Sequence, residues 1–599
     1  MNIFMLSIIC VVCAFDLPGI KQKMYVEGEQ ISVLINEMTS ESTQLPYDYY
    51  DLDICKPEST ENQNQNIGSM ILGTLIQQSS YKIFLNYEIN DELVCIKNFT
   101  QTEQNNLKWF IDHDYRVNML IDDLPILSRD YLNNTKIGVP LGIRNINQYQ
   151  FYNHYNFKVE IYNTSKSQIN QTFSINSIRV EFESKCQDSP SIKSGIDCPI
   201  NQQMNITYSV EFSMTNSSNR WSAYFNIVND SDQQWVSISI TFTISLLLTV
   251  IIAWFIRFTI KRDVLKFEAL PQDENDILID QMGWKQISRD VFRPPSGILF
   301  LSVLIGTGIQ FTMMTISIFF FSSIGFLYSA HTGNLATVVI VVYVFTGSLN
   351  GYYSSKFYKY FKGEYWLLCT LGSNLAFPIM ALFIFGIENI ALMFEESSNG
   401  LDFKSGVTFI ALQLGIQTPL NLIGSFIGFK FESPKNPCKY GQIPQEIPSQ
   451  PFYLDYFYSC LIGGLICFIS VGLEISQIMQ LIWQNSYYEF FVSLFFTAIL
   501  LIIISAEVSI LTVYLLIQNQ NHRWWWKAFF VPFTSGVYLF IYSIQYYLDQ
   551  LLFTRFSTIL YYFGTMYMAS LCLGLVCGTV GFIASHIFVK KIYSMIKLD

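Results

Sequence analysis

The chain has 599 residues, of which 51% are apolar, 16% aromatic and only 14% charged, with a formal net charge of −11. A mean hydropathy of +0.29 over this length is too apolar for one soluble domain, so the membrane class is the first expectation. An isoelectric point near 5.1, with basic residues dispersed between apolar runs, argues against a nucleic-acid partner, which needs clustered Lys and Arg to neutralise phosphates.

Met1 to Ala14 is a short apolar run, below the ~20 residues of a spanning helix, and Val12-x-Ala14 places small residues at a cleavage point. It reads as a signal peptide, residues 1–14, although it lacks a basic flank; a buried strand is the alternative. Residues 15–235 are polar and rich in Asn. Alternating stretches such as Ile178-Arg179-Val180-Glu181-Phe182-Glu183 and Ile206-Thr207-Tyr208-Ser209-Val210-Glu211-Phe212 predict half-buried strands, hence a β-rich domain. Seven Asn-x-Ser/Thr sequons, at Asn98, Asn133, Asn163, Asn170, Asn205, Asn216 and Asn229, all fall here, which favours a glycosylated, lumenal location. So do four cysteines, Cys55, Cys95, Cys186 and Cys198, whose even number suits an oxidising compartment. Of the possible pairings, Cys55 with Cys95 and Cys186 with Cys198 is preferred, against free buried thiols. No CxxC spacing points to zinc.

After Trp235 nine apolar stretches follow, near 236–258, 299–322, 331–352, 366–388, 405–428, 457–480, 490–517, 528–548 and 558–589. Continuous apolar runs near or above ~20 residues select helices over a barrel, since lipid offers the backbone no hydrogen-bond partner. The expected fold is a multi-pass α-helical membrane protein: a nine-helix transmembrane bundle over 236–599 behind an N-terminal β-rich lumenal domain. Orientation follows from the retention of Lys and Arg on the cytosolic side. The connector at 259–298 carries Lys261, Arg262, Lys266, Lys285, Arg289 and Arg293; alternate later connectors carry Lys356, Lys359 and Lys362, then Lys430, Lys435 and Lys439, then Arg523 and Lys527. The intervening connectors hold only Lys404 and Arg555. The β-domain is therefore expected in the lumen and the tail at 590–599 in the cytosol, as an odd number of crossings also requires.

Several strings then resemble the transmembrane 9 superfamily, the nonaspanins: Phe15-Asp16-Leu17-Pro18-Gly19, Gln44-Leu45-Pro46-Tyr47-Asp48-Tyr49-Tyr50, Cys55-Lys56-Pro57, Ile121-Asp122-Asp123-Leu124-Pro125, Gly283-Trp284-Lys285 with Asp290-Val291-Phe292-Arg293-Pro294-Pro295, Thr418-Pro419-Leu420-Asn421, Gln442-Ile443-Pro444, Trp524-Trp525-Trp526 and Lys591-Ile592-Tyr593-Ser594. Ser288-Arg289 and Val531-Pro532 depart from the family pattern. The resemblance implies a Golgi and endosomal resident that assists sorting, trafficking and membrane localisation of other membrane proteins, with adhesion and phagocytosis as indirect effects. It also implies that Lys597 and Asp599 form a sorting signal read by the coat of retrograde vesicles; an ordinary charged helix end is the alternative. Cargo with Gly-rich or polar transmembrane helices is the implied partner class.

Glu474 and Glu507 fall inside apolar stretches, where a carboxylate costs ~2.5–3.5 kcal/mol on insertion scales. With Gln477, Gln310 and His331 they are candidates for a buried polar, cargo or ion site, and they carry the alternative of an ion- or proton-coupled transporter or channel; interhelical hydrogen bonding is the plainer reading. Gly424-x-x-x-Gly428, Gly463-Gly464 and Gly574-x-x-x-Gly578 with Gly581 predict close helix approach, inside the bundle or in a cargo groove. The Trp524–Trp526 run is expected to anchor a helix end at headgroup level. Glu274-Asn275-Asp276-Ile277-Leu278-Ile279 matches an acidic dileucine pattern but reads better as an amphipathic packing segment. No GxxxxGK[ST], HExxH or GxSxG occurs, so no enzyme, cofactor or metal site is expected.

Overall fold

The computed structural model describes residues 23–57, 76–164, 172–185, 203–215, 231–268, 283–323 and 334–594, apart from short breaks at 123, 130–134, 146–147, 396, 399, 402, 433–435, 439, 442, 484–489, 552 and 554. The signal segment, Phe15–Gly19, the sequons at Asn133, Asn170, Asn216 and Asn229, Cys186 and Cys198, the segment 274–279, His331, and the tail with Lys597 and Asp599 lie outside the described residues.

The β-domain comprises β1 (Tyr25–Val26), β2 (Gln30–Thr39), β3 (Gln77–Phe84), β4 (Ile89–Asn98), helix α1 (Gln101–Asp112), β5 (Arg116–Ile121), β6 (Leu124–Pro125), β7 (Leu127–Arg129) and β8 (Thr135–Ile137). It continues with β9 (Val139–Pro140), β10 (Gly142–Asn145), β11 (Gln148–Phe151), β12 (His154–Asn163), β13 (Thr172–Glu183) and β14 (Gln203–Met214). One sheet runs β4-β14-β12-β13-β7-β8 with β1 on β13, the other β3-β2-β5-β6 with β9 on β5, and β10-β11 forms a hairpin. Period-two alternation explains the burial: Phe157, Val159 and Ile161 of β12 are buried while Lys158 and Glu160 face outward. Cys55 is bonded to Cys95, tying the segment after β2 to β4 across a Cα separation of 5.7 Å. Thr100 and Glu103 form a capping box at the start of α1, satisfying amides that the first helical turn leaves without partners.

The membrane helices are α2 (Ser231–Glu268), α3 (Ile298–Ser323), α4 (Asn334–Tyr360), α5 (Trp366–Phe394), α6 (Phe403–Leu412) continued through a π-turn into α7 (Thr418–Lys430), α8 (Tyr456–Ser470), α9 (Gly472–Trp483), α10 (Phe490–Gln518), α11 (Trp525–Tyr546) and α12 (Phe556–Ser594). Eight continuous segments are long and apolar enough to cross a bilayer, counting α6 and α7 as one, and the sixth predicted stretch is a pair, α8 and α9, bent by 62°. That pair runs from one face of the bundle to the other. Its start lies beside Lys527, whose Nζ donates to the carbonyl of Leu454, and its end meets the β-domain, where Gln44 Nε2 donates to the carbonyl of Trp483 at 2.9 Å. Counted as one span, the pair brings the candidate crossings among the described residues to nine, and the end of α12, where Tyr593 donates to the Trp284 carbonyl, lies opposite the β-domain. The first helix runs past the expected boundary at 258, because Lys261, Arg262 and Lys266 are good helix formers and nothing after the apolar run stops the helix.

Pro378 and Pro532 sit inside spanning helices, where each removes an amide and frees the carbonyl four residues earlier. Pro532 is the eighth residue of α11, and Ser509 Oγ donates to the freed carbonyl of Ala528 at 2.8 Å. For Pro378 in α5, Gln413 Nε2 donates to the carbonyl of Asn374 at 3.2 Å. In lipid such substitutions of partner are obligatory, and they lock α10 to α11 and the π-turn to α5.

Candidate functional site: buried polar groups and two closed faces

At the β-domain face, the Gln44–Tyr50 string forms the contact with the helices. Ser397 Oγ and the Ser398 amide both donate to the carbonyl of Pro46, at 2.9 and 3.0 Å, and Thr558 Oγ1 donates to the carbonyl of Thr43 at 2.7 Å. Tyr47 packs its ring against Trp109, Phe110 and Tyr115 while its hydroxyl donates to the carbonyl of Glu395 at 3.2 Å. The Glu395 carboxylate pairs with Arg555 and accepts from Ser557 Oγ at 2.9 Å, and the Arg555 guanidinium lies 4.5 Å over the Trp109 ring. The β-domain is thus docked on the ends of α5 and α12.

The opposite face gathers strings far apart in the chain. Arg293 Nη2 donates to Asp290 Oδ1 at 2.6 Å and to the carbonyl of Gly441 at 2.8 Å, while Asp290 Oδ2 accepts from the Gln445 amide at 3.0 Å. Ser288-Arg289 closes the same contact, the Arg289 carbonyl accepting from the Gly441 amide at 2.9 Å. Trp524 and Trp525 are 0% and 2% exposed, so they are not headgroup anchors. The indole Nε1 groups of Trp524, Trp525 and Trp526 donate, each at 2.9 Å, to the carbonyls of Val291, Arg293 and Ser296. The reason is local: Pro294 and Pro295 bar regular structure, the extended carbonyls need donors, and the indole donates nothing else. Tyr593, 1% exposed, completes the latch by donating to the carbonyl of Trp284.

Inside the bundle the predicted polar residues separate into groups. Gln310 on α3 is 2% exposed; its Nε2 donates to the Tyr343 carbonyl and its Oε1 accepts from Asn350 Nδ2, both at 2.9 Å. Asn350 also donates to the carbonyl of Ser373 at 3.0 Å, so α3, α4 and α5 share one seam. Gln310 meets α4 there, and its hydrogen bonds do not run to the glutamates. Glu474 and the half-buried Gln477 lie on α9, just after the bend; Glu474 is 2% exposed. Glu507 lies on α10 beside Thr249 of α2, and its Oε2 is buried without a hydrogen-bond partner. A third carboxyl, Glu388 on α5, went unpredicted: it is 3% exposed, its Oε1 has no partner, and it presses on Gly564 of α12, where a Cβ would come within 1.7 Å of that oxygen. Its sequence signal was present, a lone acid followed by Ile390-Ala391-Leu392-Met393-Phe394 within one apolar run. No group of three or more His, Cys, Asp or Glu that could hold a metal occurs among the described residues.

The singled-out glycines work within the molecule. A Cβ on Gly424 or Gly428 would come within 2.0 and 2.3 Å of the Ser348 and Tyr352 carbonyls of α4, and one on Gly463 within 2.2 Å of Val531. Gly574 and Gly578 likewise admit the Phe533 and Phe529 carbonyls of α11, at 2.9 Å each from such a Cβ. Their open sides are covered by the chain's own helices, which leaves no glycine-lined groove at these positions.

The family model described as Endomembrane protein 70 matches residues 46–556. Transmembrane 9 superfamily member 10 of Arabidopsis thaliana is 30% identical over 98% of this chain and 96% of its own length. Transmembrane 9 superfamily member 4 of Homo sapiens is 27% identical, covering 100% and 98%. A protein of Dictyostelium discoideum named "Putative phagocytic receptor 1a" is 31% identical, covering 98% and 96%.

Proposed function

From the premise that this chain belongs to the transmembrane 9 (Endomembrane protein 70) family, we propose that it is a Golgi and endosomal resident that assists the sorting and membrane localisation of other transmembrane proteins. The observation that carries this reading is the odd number of candidate crossings, nine when α8 and α9 count as one span. It brings the end of α12, with Lys590 and Lys591, to the face of the basic connectors, opposite a β-domain whose sequons Asn98 and Asn163 are exposed. Lys597-x-Asp599, which follows α12 in the chain, would on that face be reachable by a cytosolic coat, whose basic groups would read the Asp599 side chain. The phagocytic name of the Dictyostelium relative fits an indirect effect on surface adhesion through cargo delivery. The test is localisation of the full chain with and without K597A and D599A, alongside surface levels of cargo carrying polar transmembrane helices in cells lacking the protein. Unchanged localisation of the tail variants together with unchanged cargo levels overturns the proposal.

Buried Glu474 and half-buried Glu507, whose Oε2 is enclosed, support a second reading, ion- or proton-coupled transport. Purified protein in vesicles, compared with E474Q and E507Q, decides it: equal flux in variants and wild type removes these glutamates from any transport path, and flux in none sinks transport.

A further inference from the structure

A cavity of about 100 Å³ lies between α9 and α11 at the β-domain end of the bundle, lined by Ser476 and Gln480 on one side and Tyr542, Tyr546, Asp549 and Gln550 on the other. The π-turn Tyr547–Leu551 extends α11 and carries Asp549 and Gln550, and such bulges recur at functional sites because the wider turn re-aims side chains. Three features mark the cavity as built for a ligand. Tyr546 is 4% exposed, yet its hydroxyl is buried with no hydrogen-bond partner. The Tyr542 and Tyr546 rings lie 6.4 Å apart and tilted by 40°, presenting two aromatic surfaces to one small space. Asp549 is exposed, and among the described residues no cation pairs with it.

The lining carries one carboxylate and no Lys or Arg, so it favours a cation and opposes an anion. Aromatic faces beside a carboxylate are the chemistry that holds an alkylammonium group, through the ring quadrupole and the opposite charge. The volume, about that of three waters, admits a small ammonium head and excludes a sugar. The flanking residues Leu473, Ile541 and Leu548 are 53%, 54% and 60% exposed apolar side chains on spanning helices, which in a bilayer are lipid-facing. The geometry points to a headgroup site for a zwitterionic phospholipid: the ammonium sits between Tyr542, Tyr546 and Asp549, the phosphate accepts from the Tyr546 hydroxyl and the Gln480 or Gln550 amide, and the acyl chains follow the apolar flank. The site is independent of the sorting reading above.

The full chain is purified in detergent and exchanged into nanodiscs of equimolar phosphatidylcholine, phosphatidylethanolamine and phosphatidylglycerol, and the lipids retained after a second detergent extraction are counted by native mass spectrometry. Wild type retains at least five-fold more of the two ammonium lipids together than of phosphatidylglycerol; D549N and Y546F, which change one exposed carboxylate and one hydroxyl, bring that ratio down to about the two-to-one of the equimolar mixture while eluting as monodisperse protein. A wild-type ratio at or below the two-to-one of the mixture, or an unchanged ratio in both variants, overturns the site. Displacement of the retained lipid by free phosphocholine at low millimolar concentration overturns its assignment to a membrane lipid.

Discussion

Replacing Gly424 by Ala tests the packing on which the bundle rests. The new Cβ lands 2.0 Å from the backbone carbonyl oxygen of Ser348, against the 3.4 Å at which ordinary contact begins, so α4 and α7 must separate by over 1 Å there. Separation cannot stay local. Gly351 meets the Asn421 carbonyl and Gly428 the Tyr352 carbonyl on the same seam, and Asn421 Nδ2 donates to the Gly347 carbonyl at 3.1 Å. Overpacking of this kind costs about 1–3 kcal/mol, against at most ~1 kcal/mol that Ala gains over Gly in a helix. The control is Gly386, in α5 and exposed, where nothing lies within 4 Å of a new Cβ. G386A is expected to be neutral or slightly stabilising and G424A to lose about 1–2 kcal/mol net. The assay is the thermal midpoint of the detergent-solubilised chain, read by size-exclusion recovery after heating. A G424A midpoint at or above that of G386A refutes the backbone-to-backbone approach.

Trp524→Phe keeps the ring but leaves the buried Val291 carbonyl without its donor, costing about 1–3 kcal/mol, whereas Trp526→Phe frees a more exposed carbonyl and costs less; hydrogen exchange across 290–296 should rise more in W524F, and equal rates argue against the latch. Glu395→Gln weakens the partly exposed pair with Arg555 by about 1 kcal/mol or less, so exchange at the amides of 43–47 should quicken without loss of the fold, and unchanged exchange would show that the domain is held elsewhere. Burial, with Lys185 adding and Asp91 opposing, pushes the ring of His154 down to about 4. The unfolded ring titrates near ~6.5, so the folded state binds fewer protons between those values and stability rises with pH there: it is full above ~6.5 and falls by up to about 3 kcal/mol as pH drops to 4. His154→Gln should flatten the midpoint-versus-pH slope of the β-domain over that window, and a slope that persists assigns it to other groups.

The apolar spans were legible because each apolar run satisfies the bilayer by itself, which is a one-dimensional property. The strands of the β-domain were legible for the same reason, through the period-two alternation of β12 to β14. The bend between α8 and α9 was not, since an apolar run looks the same whether it is straight or broken. Glu388 escaped because it stands near the end of its stretch, where an acid reads as a boundary; its burial depends on Gly564, 176 residues away, withdrawing a side chain. Trp524 and Trp525 show the same limit: aromatic residues at a helix end are interfacial by composition, and only the fold reveals unpaired carbonyls of the 291–296 segment waiting for indole donors. Composition and periodicity therefore determined the class and the apolar spans of this protein, because lipid acts on each segment separately. Which polar groups meet, which glycines are filled and which cavity stays open were decided by tertiary structure alone, because those are contacts between segments and no single segment encodes its partner.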